Sequence, residues 1–140
     1  MDKTLLIIKP DAVKKNVIGE IITLITRAEF KILGMKMTKI SLEQAGAFYE
    51  VHKGKFFYDE LKEYMSSGSI VPIALEKENA IDDFRKLIGN TDPALAEEGT
   101  IRRLYGESKQ INTIHGSDSV ENGKLEIAFF FGRSELVANE

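Results

Sequence analysis

The chain has 140 residues, 43% of them apolar and 29% charged, with no cysteine. Disulfides, thiolate catalysis and zinc–thiolate sites are therefore excluded, and the size suits one domain, residues 1–140, able to bury a core without staples. A net charge of −3 gives no global pull toward nucleic acid, so a polyanion would have to be held by a local basic cluster.

Residues 4–9 form a β-rich apolar run that predicts a buried strand, stopped by Pro10-Asp11. Ile18, Ile21, Ile22 and Ile25 recur at helical spacing and predict an amphipathic helix over residues 17–29. Leu33, Met35 and Met37 alternate with Lys36 and Thr38, the period of a half-buried strand. Ser41-Leu42-Glu43-Gln44 has the spacing of a capping box, so a helix is expected from there to about His52. A shorter helix is predicted over residues 58–65. Residues 69–76 predict a third strand, whose Pro72 points to an edge or a bulge. Ile81, Phe84, Leu87 and Ile88 mark another helix, ended by Gly89-Asn90. Residues 90–123 are rich in glycine, charge and small polar groups, and a connection that long is more often functional than decorative. Residues 125–131 are predicted to close the fold as an apolar strand.

The order of strands and helices predicts an α+β, ferredoxin-like βαββαβ domain. Its four-stranded antiparallel sheet is expected to carry helices packed on one face, with a long functional loop before the last strand. The longest apolar stretches are far too short to span a bilayer, and residues 1–4 resemble no signal peptide. A soluble, cytoplasmic protein without membrane contact is therefore expected.

Residues 112–119, Asn-Thr-Ile-His-Gly-Ser-Asp-Ser, hold one of two histidines, His115, beside Gly116 and among small polar residues. That setting predicts an open, hydrogen-bonded turn. A neutral imidazole is nucleophilic near pH 7 and can take a transferred group covalently, splitting one difficult displacement into two. The other histidine, His52, ends a predicted helix near Lys53, where a helix-end or packing role is expected. Neither of the familiar glycine-rich phosphate cradles is present, so phosphate must be bound by side chains. The candidates are Lys9, Arg85, Arg102 and Arg103, since guanidinium groups grip phosphate oxygens in a fork. No His or carboxylate cluster has metal-ligand spacing, so no protein metal site is expected. On these residues alone, a non-catalytic nucleotide- or nucleic-acid-binding module stands beside the enzyme reading.

The run Lys9-Pro10-Asp11-Ala12-Val13, residues 49–57 and residues 112–119 occur in this order and at suitable spacing. Together they resemble the nucleoside diphosphate kinase family, over essentially the whole chain. The resemblance implies transfer of the γ-phosphoryl group from a nucleoside triphosphate, typically ATP, to a nucleoside diphosphate. The route it implies is a ping-pong mechanism through a phosphohistidine, with Mg²⁺ carried on the nucleotide and the chain forming a homo-oligomer. His115 matches the phosphorylated histidine, and Glu126 matches a carboxylate that holds it. Lys9 and Asn112 match residues contacting the sugar hydroxyls, with Lys9 also offsetting phosphate charge. Arg85, Thr91 and Arg102 match phosphate-binding residues, and Phe57 matches the aromatic on which the base stacks. Tyr49 matches a tyrosine close to the nucleophile, and Ser117 a hydroxyl beside it. Glu126 lies in the segment read as an apolar strand, where an unpaired carboxylate would be costly, so it needs a partner such as His115. Arg103-Leu104, Glu98 and Phe56 depart from residues frequent in the family, and Glu140 ends the chain without the extension of many hexameric members. These departures bear on the stiffness of the long loop and on subunit contacts.

Overall fold

The computed structural model describes residues 1–137, so the chain end at Glu140 lies outside the described residues. Strands β1 (Asp2–Ile8), β2 (Lys31–Met35), β3 (Val71–Lys77) and β4 (Ile114–Gly116) form an antiparallel sheet in the order β2-β3-β1-β4. The α-helices are α1 (Pro10–Lys14), α2 (Ile18–Arg27), α3 (Leu42–Phe48), α4 (Tyr58–Ser66), α5 (Ala80–Ile88), α6 (Ile101–Tyr105) and α7 (Val120–Phe130). The expected α+β arrangement stands, with two corrections that matter for function.

First, residues 125–131 are not the last strand. They lie mostly in α7, and β4 is a three-residue strand inside the stretch read as loop. Gly123, Ile127 and Phe130 turn inward while Leu125 and Phe129 face out, which is helical spacing. Ser119 caps the helix, its hydroxyl accepting from the Asn122 N–H at 3.1 Å. The apolar run imitates a buried strand because this helix exposes large apolar side chains on its outer face, Leu125 at 70%.

Second, helices cover both faces of the sheet rather than one. Leu5 to Ile8 of β1 are all fully buried, the pattern of a strand covered on both sides. Leu6 and Ile8 pack with Ile21 and Ile25 of α2 and with Phe84 and Ile88 of α5. Leu5 and Ile7 pack with Ala45 of α3, Leu61 and Met65 of α4, and Ile127 and Phe130 of α7.

Local rules hold elsewhere. The capping box at Ser41 forms in both directions, with Gln44 N–H donating to Ser41 Oγ at 3.1 Å and Ser41 N–H to Gln44 Oε1 at 2.9 Å. The helix it starts is α-helical only to Phe48, and a 3₁₀ turn, Glu50–His52, completes it. Pro72 sits in an interior strand, where its missing N–H would break a ladder. It lies opposite Lys36, past the end of β2, whose N–H donates to Pro72 O at 3.2 Å. The bulge is instead in β2, between Ile32 and Gly34.

Candidate functional site

His115 belongs to a strand, not to an open turn. β4 pairs with β1 so that His115 stands opposite Ile7. Strand alternation then sends Ile114 into the core under α2 and α5, and His115 to the opposite face, toward α3 and α7. Gly116 returns to the first face, where a Cβ would come within 2.9 Å of the Phe84 ring. Only glycine lets α5 approach β4 that closely.

His115 Nε2 lies 2.8 Å from Glu126 Oε1. An ionised carboxylate only accepts, so Nε2 carries a proton, and in the neutral ring Nδ1 keeps its lone pair, with no hydrogen-bond partner among the described residues. The same Glu126 oxygen accepts from Ser117 Oγ at 2.9 Å, and Ser117 Oγ accepts the Leu5 N–H at 3.0 Å. The carboxylate is thus tied through Ser117 to the central strand, while Ser117 itself is buried behind the cleft and does not line it. The helical placement of Glu126 alters its expected element but keeps its expected partner.

The turn before β4 builds the second half of the site. Thr113 is fully buried with φ of +80°, and the Ile114 N–H donates to Asn112 O at 2.9 Å, the i to i+2 bond of a γ-turn. A β-branched residue at that φ is strained, and such strain is held where surrounding structure over-determines it. Here the Lys9 N–H donates to Thr113 O at 2.8 Å, and Lys9 Nζ donates to Asn112 Oδ1 at 2.8 Å. Asn112 Nδ2 reaches the carbonyls of Thr91 and Lys109, at 3.0 and 2.8 Å. Backbone and side chain together clamp Lys9, Asn112 and His115 into one unit.

Around that unit positive charge is concentrated. Arg102 Nη1 and Nη2 donate to Gly89 O and Ile114 O, at 3.0 and 2.9 Å, while its buried Nε has no partner. Burial, with Arg85 nearby, pushes the Arg102 guanidinium down to about 10. Burial, then the Arg102 charge, pushes the Lys9 ammonium down to about 7, opposed by Asp11. Buried cations set close together are relieved by a bound anion, so the cluster is electrostatically suited to one. Arg85, at the cleft wall, is exposed on α5, and Thr91 is exposed in the following loop. Arg103, the fourth candidate, is turned away from the cleft, its Nη1 donating to Ala94 O at 3.1 Å.

Lys9, Arg85, Thr91, Arg102, Asn112, His115 and Glu126 line one open cleft of about 1410 Å³, together with Tyr49 and Phe57. Phe57 is half-buried at the rim, and Phe56 beside it is 97% exposed. Tyr49 is buried 6.2 Å from the His115 ring, and its hydroxyl has no partner. Burial and then Glu126 push its phenol well above the ordinary range. Among the described residues no group of three or more His, Asp or Glu assembles into a cation site.

Several participants were not singled out by sequence. Phe48 packs its edge on the His115 ring at 5.5 Å. His52 lines the cleft, stacked on Tyr49 at 6.1 Å and edge-on to Phe57 at 5.1 Å, so its packing role is real but lies within the site. Thr113 and its partner Asp11 carry no local signal, since a γ-turn in so short a segment has no periodicity. Asp11 lay in the quoted Lys-Pro-Asp run without a role of its own.

Comparisons with known proteins show the family and agree with the fold. The family model described as nucleoside diphosphate kinase matches residues 2–136. A nucleoside diphosphate kinase from Chloroherpeton thalassium is 60% identical over 139 residues, covering 99% of each chain. One from Chlorobaculum tepidum is 59% identical over 137 residues, covering 98% of each. Among solved structures, the Aquifex aeolicus nucleoside diphosphate kinase superposes with a TM-score of 0.96 at 42% identity, over 97% of this chain and 99% of that one. A Halobacterium salinarum nucleoside diphosphate kinase in complex with CDP gives 0.94 at 36% identity, over 100% and 94%.

Proposed function

The chain belongs to the nucleoside diphosphate kinase family, a phosphotransferase moving phosphoryl groups between nucleotides, and we propose that it does so by a ping-pong route through phospho-His115. The observation that carries this reading is the His115–Glu126 contact at 2.8 Å, which engages Nε2 and leaves Nδ1 without a hydrogen-bond partner among the described residues.

In the first half-reaction Nδ1 attacks the γ-phosphorus of a nucleoside triphosphate. The N–P bond forms as the bond to the β-phosphate oxygen breaks, and the nucleoside diphosphate leaves. Positive charge gathers on the imidazole, where the Glu126 carboxylate stabilises it and fixes the ring. The second half-reaction reverses these steps with another diphosphate. Phosphoryl transfer needs positioning and charge neutralisation more than covalent help. Lys9, Arg85 and Arg102 supply that neutralisation around the phosphates, with Thr91 beside them. Asn112 and Lys9 are placed to meet sugar hydroxyls, and Tyr49 and Ser117 support the nucleophile from the interior. Phe57 offers a ring face to the base, which every base can use, so discrimination among bases should be weak.

Mg²⁺ enters this scheme as part of the nucleotide substrate. The cleft offers cations and amides rather than a carboxylate cage, which suits an ion held by phosphate oxygens and water. We further read residues 1–140 as one catalytic domain, acting in the cytoplasm, where its nucleotide substrates are. Among the described residues no helix is long and apolar enough to cross a membrane. The chain is read as a homo-oligomer, supported by β2 at the sheet edge with Met35 and Met37 exposed.

Intact-mass spectrometry after brief incubation with Mg-ATP tests the route. One phosphoryl adduct should appear, map to His115 and be discharged by a different nucleoside diphosphate. Nucleotide exchange without any adduct on that timescale would instead mean direct transfer between two bound nucleotides.

A further inference from the structure

Asp11 is a carboxylate the transfer chemistry does not use, yet it is 8% exposed at the start of α1, two residues from Lys9. Its backbone N–H donates to Tyr64 Oη at 3.0 Å, and the same Tyr64 hydroxyl donates back to Asp11 Oδ1. Its other oxygen, Oδ2, accepts from Thr113 Oγ1 at 3.3 Å. Tyr64 belongs to α4, which lies on the aromatic side of the sheet. One carboxylate therefore joins α1, α4 and the strained turn before β4. We propose that Asp11 is a positioning residue for phosphoryl transfer, holding the Thr113 turn so that Asn112 and His115 keep their places relative to Lys9.

Two observations support this beyond the contacts themselves. The Thr113 conformation at φ of +80° is unfavourable for a β-branched residue and needs an external hold. The Thr113 hydroxyl supplies one that an aliphatic side chain could not make. Asp11 also acts on Lys9 electrostatically. The charged groups facing Lys9 are Arg102 from α6, which favours loss of its proton, and Asp11 from α1, which favours keeping it. Asn112 and Thr113 on the neighbouring turn are neutral. Asp11 is then both the mechanical tie of the turn and the counter-charge that keeps Lys9 cationic. This inference rests on the reading of Lys9 as a phosphate-neutralising cation.

The two roles separate by mutation. Asp11→Asn keeps an acceptor for Thr113 but removes the charge, whereas Thr113→Val keeps the charge and removes the tie. The Lys9 ammonium stands at about 7 in the free protein, so kcat/KM for nucleotide exchange should fall as pH rises past that value. In Asp11→Asn the remaining neighbour is a cation, Lys9 loses its proton more readily, and the alkaline limb moves to lower pH. Its kcat/KM should drop several-fold more at pH 8 than at pH 6. In Thr113→Val, kcat should fall several-fold at every pH with the limb unmoved, and Tyr64→Phe, which also leaves Asp11 charged, should behave likewise. A purely structural Asp11 would lower activity evenly across pH and leave the limb in place, which overturns the electrostatic role. Wild-type kcat in both Thr113→Val and Tyr64→Phe overturns the tie. Thermal melts of each variant identify any that fail to fold, and the remaining variants still decide their arm. Because the assay reads nucleotide exchange, full activity of His115→Ala in the same series would remove the phosphohistidine route without touching the Asp11 result.

Discussion

The two faces of the sheet are made from the same strands and do different work. Under α2 and α5 the filling is hydrocarbon, with Leu6, Ile8, Ile73, Leu75, Phe84 and Ile114 all fully buried. Under α3, α4 and α7 the aliphatic core gives way near β4 to Phe48, Tyr49, His115, Ser117 and Glu126. The boundary runs through a single strand, since Ile114 and Gly116 belong to the first face and His115 to the second. Hydrocarbon core and polar cleft are therefore separated by one residue of strand alternation, and the hydrocarbon layer serves as the floor from which His115 projects. Mutations on each side should break function in different ways.

The largest expected effect is His115→Ala. With its imidazole gone nothing can carry the phosphoryl group, and exchange should fall by about 10⁴-fold or more. The melting temperature should stay near that of the wild type, because the ring is part of the cleft wall and not of the closed core. Retained exchange would remove the shuttle, and unfolding would show that the division between the faces is too sharp.

Phe84→Ala makes the converse test on the other face. Phe84 is fully buried, edge-on to Phe30 at 5.5 Å, and lies beneath Gly116. Its loss should cost about 3–5 kcal/mol by denaturant unfolding. At low temperature, where the variant is folded, phosphoryl-adduct formation should still occur on His115. A collapse of activity in the folded variant would show that the floor also tunes the nucleophile's position.

The sequence reveals these two faces unequally. Ile18, Ile21, Ile22 and Ile25 announce α2 because a helix on a closed core shows its period cleanly. The Ser41 capping box announces α3 because it is a local bond between residues three apart. α7 reads as a strand because a helix bordering the cleft keeps apolar side chains outside as well as inside, so Leu125 and Phe129 blur its stripe. β4 leaves no mark in the sequence because three residues hold too little pattern to be seen, even with His115 in the middle. The cationic cluster could be collected from sequence through family resemblance. The coupling of Lys9, Asn112, Thr113 and Asp11 depends on contacts about a hundred residues apart and on one strained φ, neither of which a local reading contains.

The smallest effect should be at Tyr49, where the two demands meet in one side chain. Its ring packs in the core while its hydroxyl is buried without a partner. A buried donor left unmade costs free energy, so Tyr49→Phe should stabilise the fold by about 1 kcal/mol in urea unfolding. Tyr49 lines the cleft with its ring 6.2 Å from that of His115, and the Glu126 charge acts on its hydroxyl. If it is kept to meet an oxygen of the transferring phosphoryl group, kcat should fall several-fold while stability rises. A gain in stability with unchanged kcat would make the hydroxyl dispensable. A loss of stability would mean that it is satisfied in solution, and that this face is better packed than its unpartnered oxygen implies.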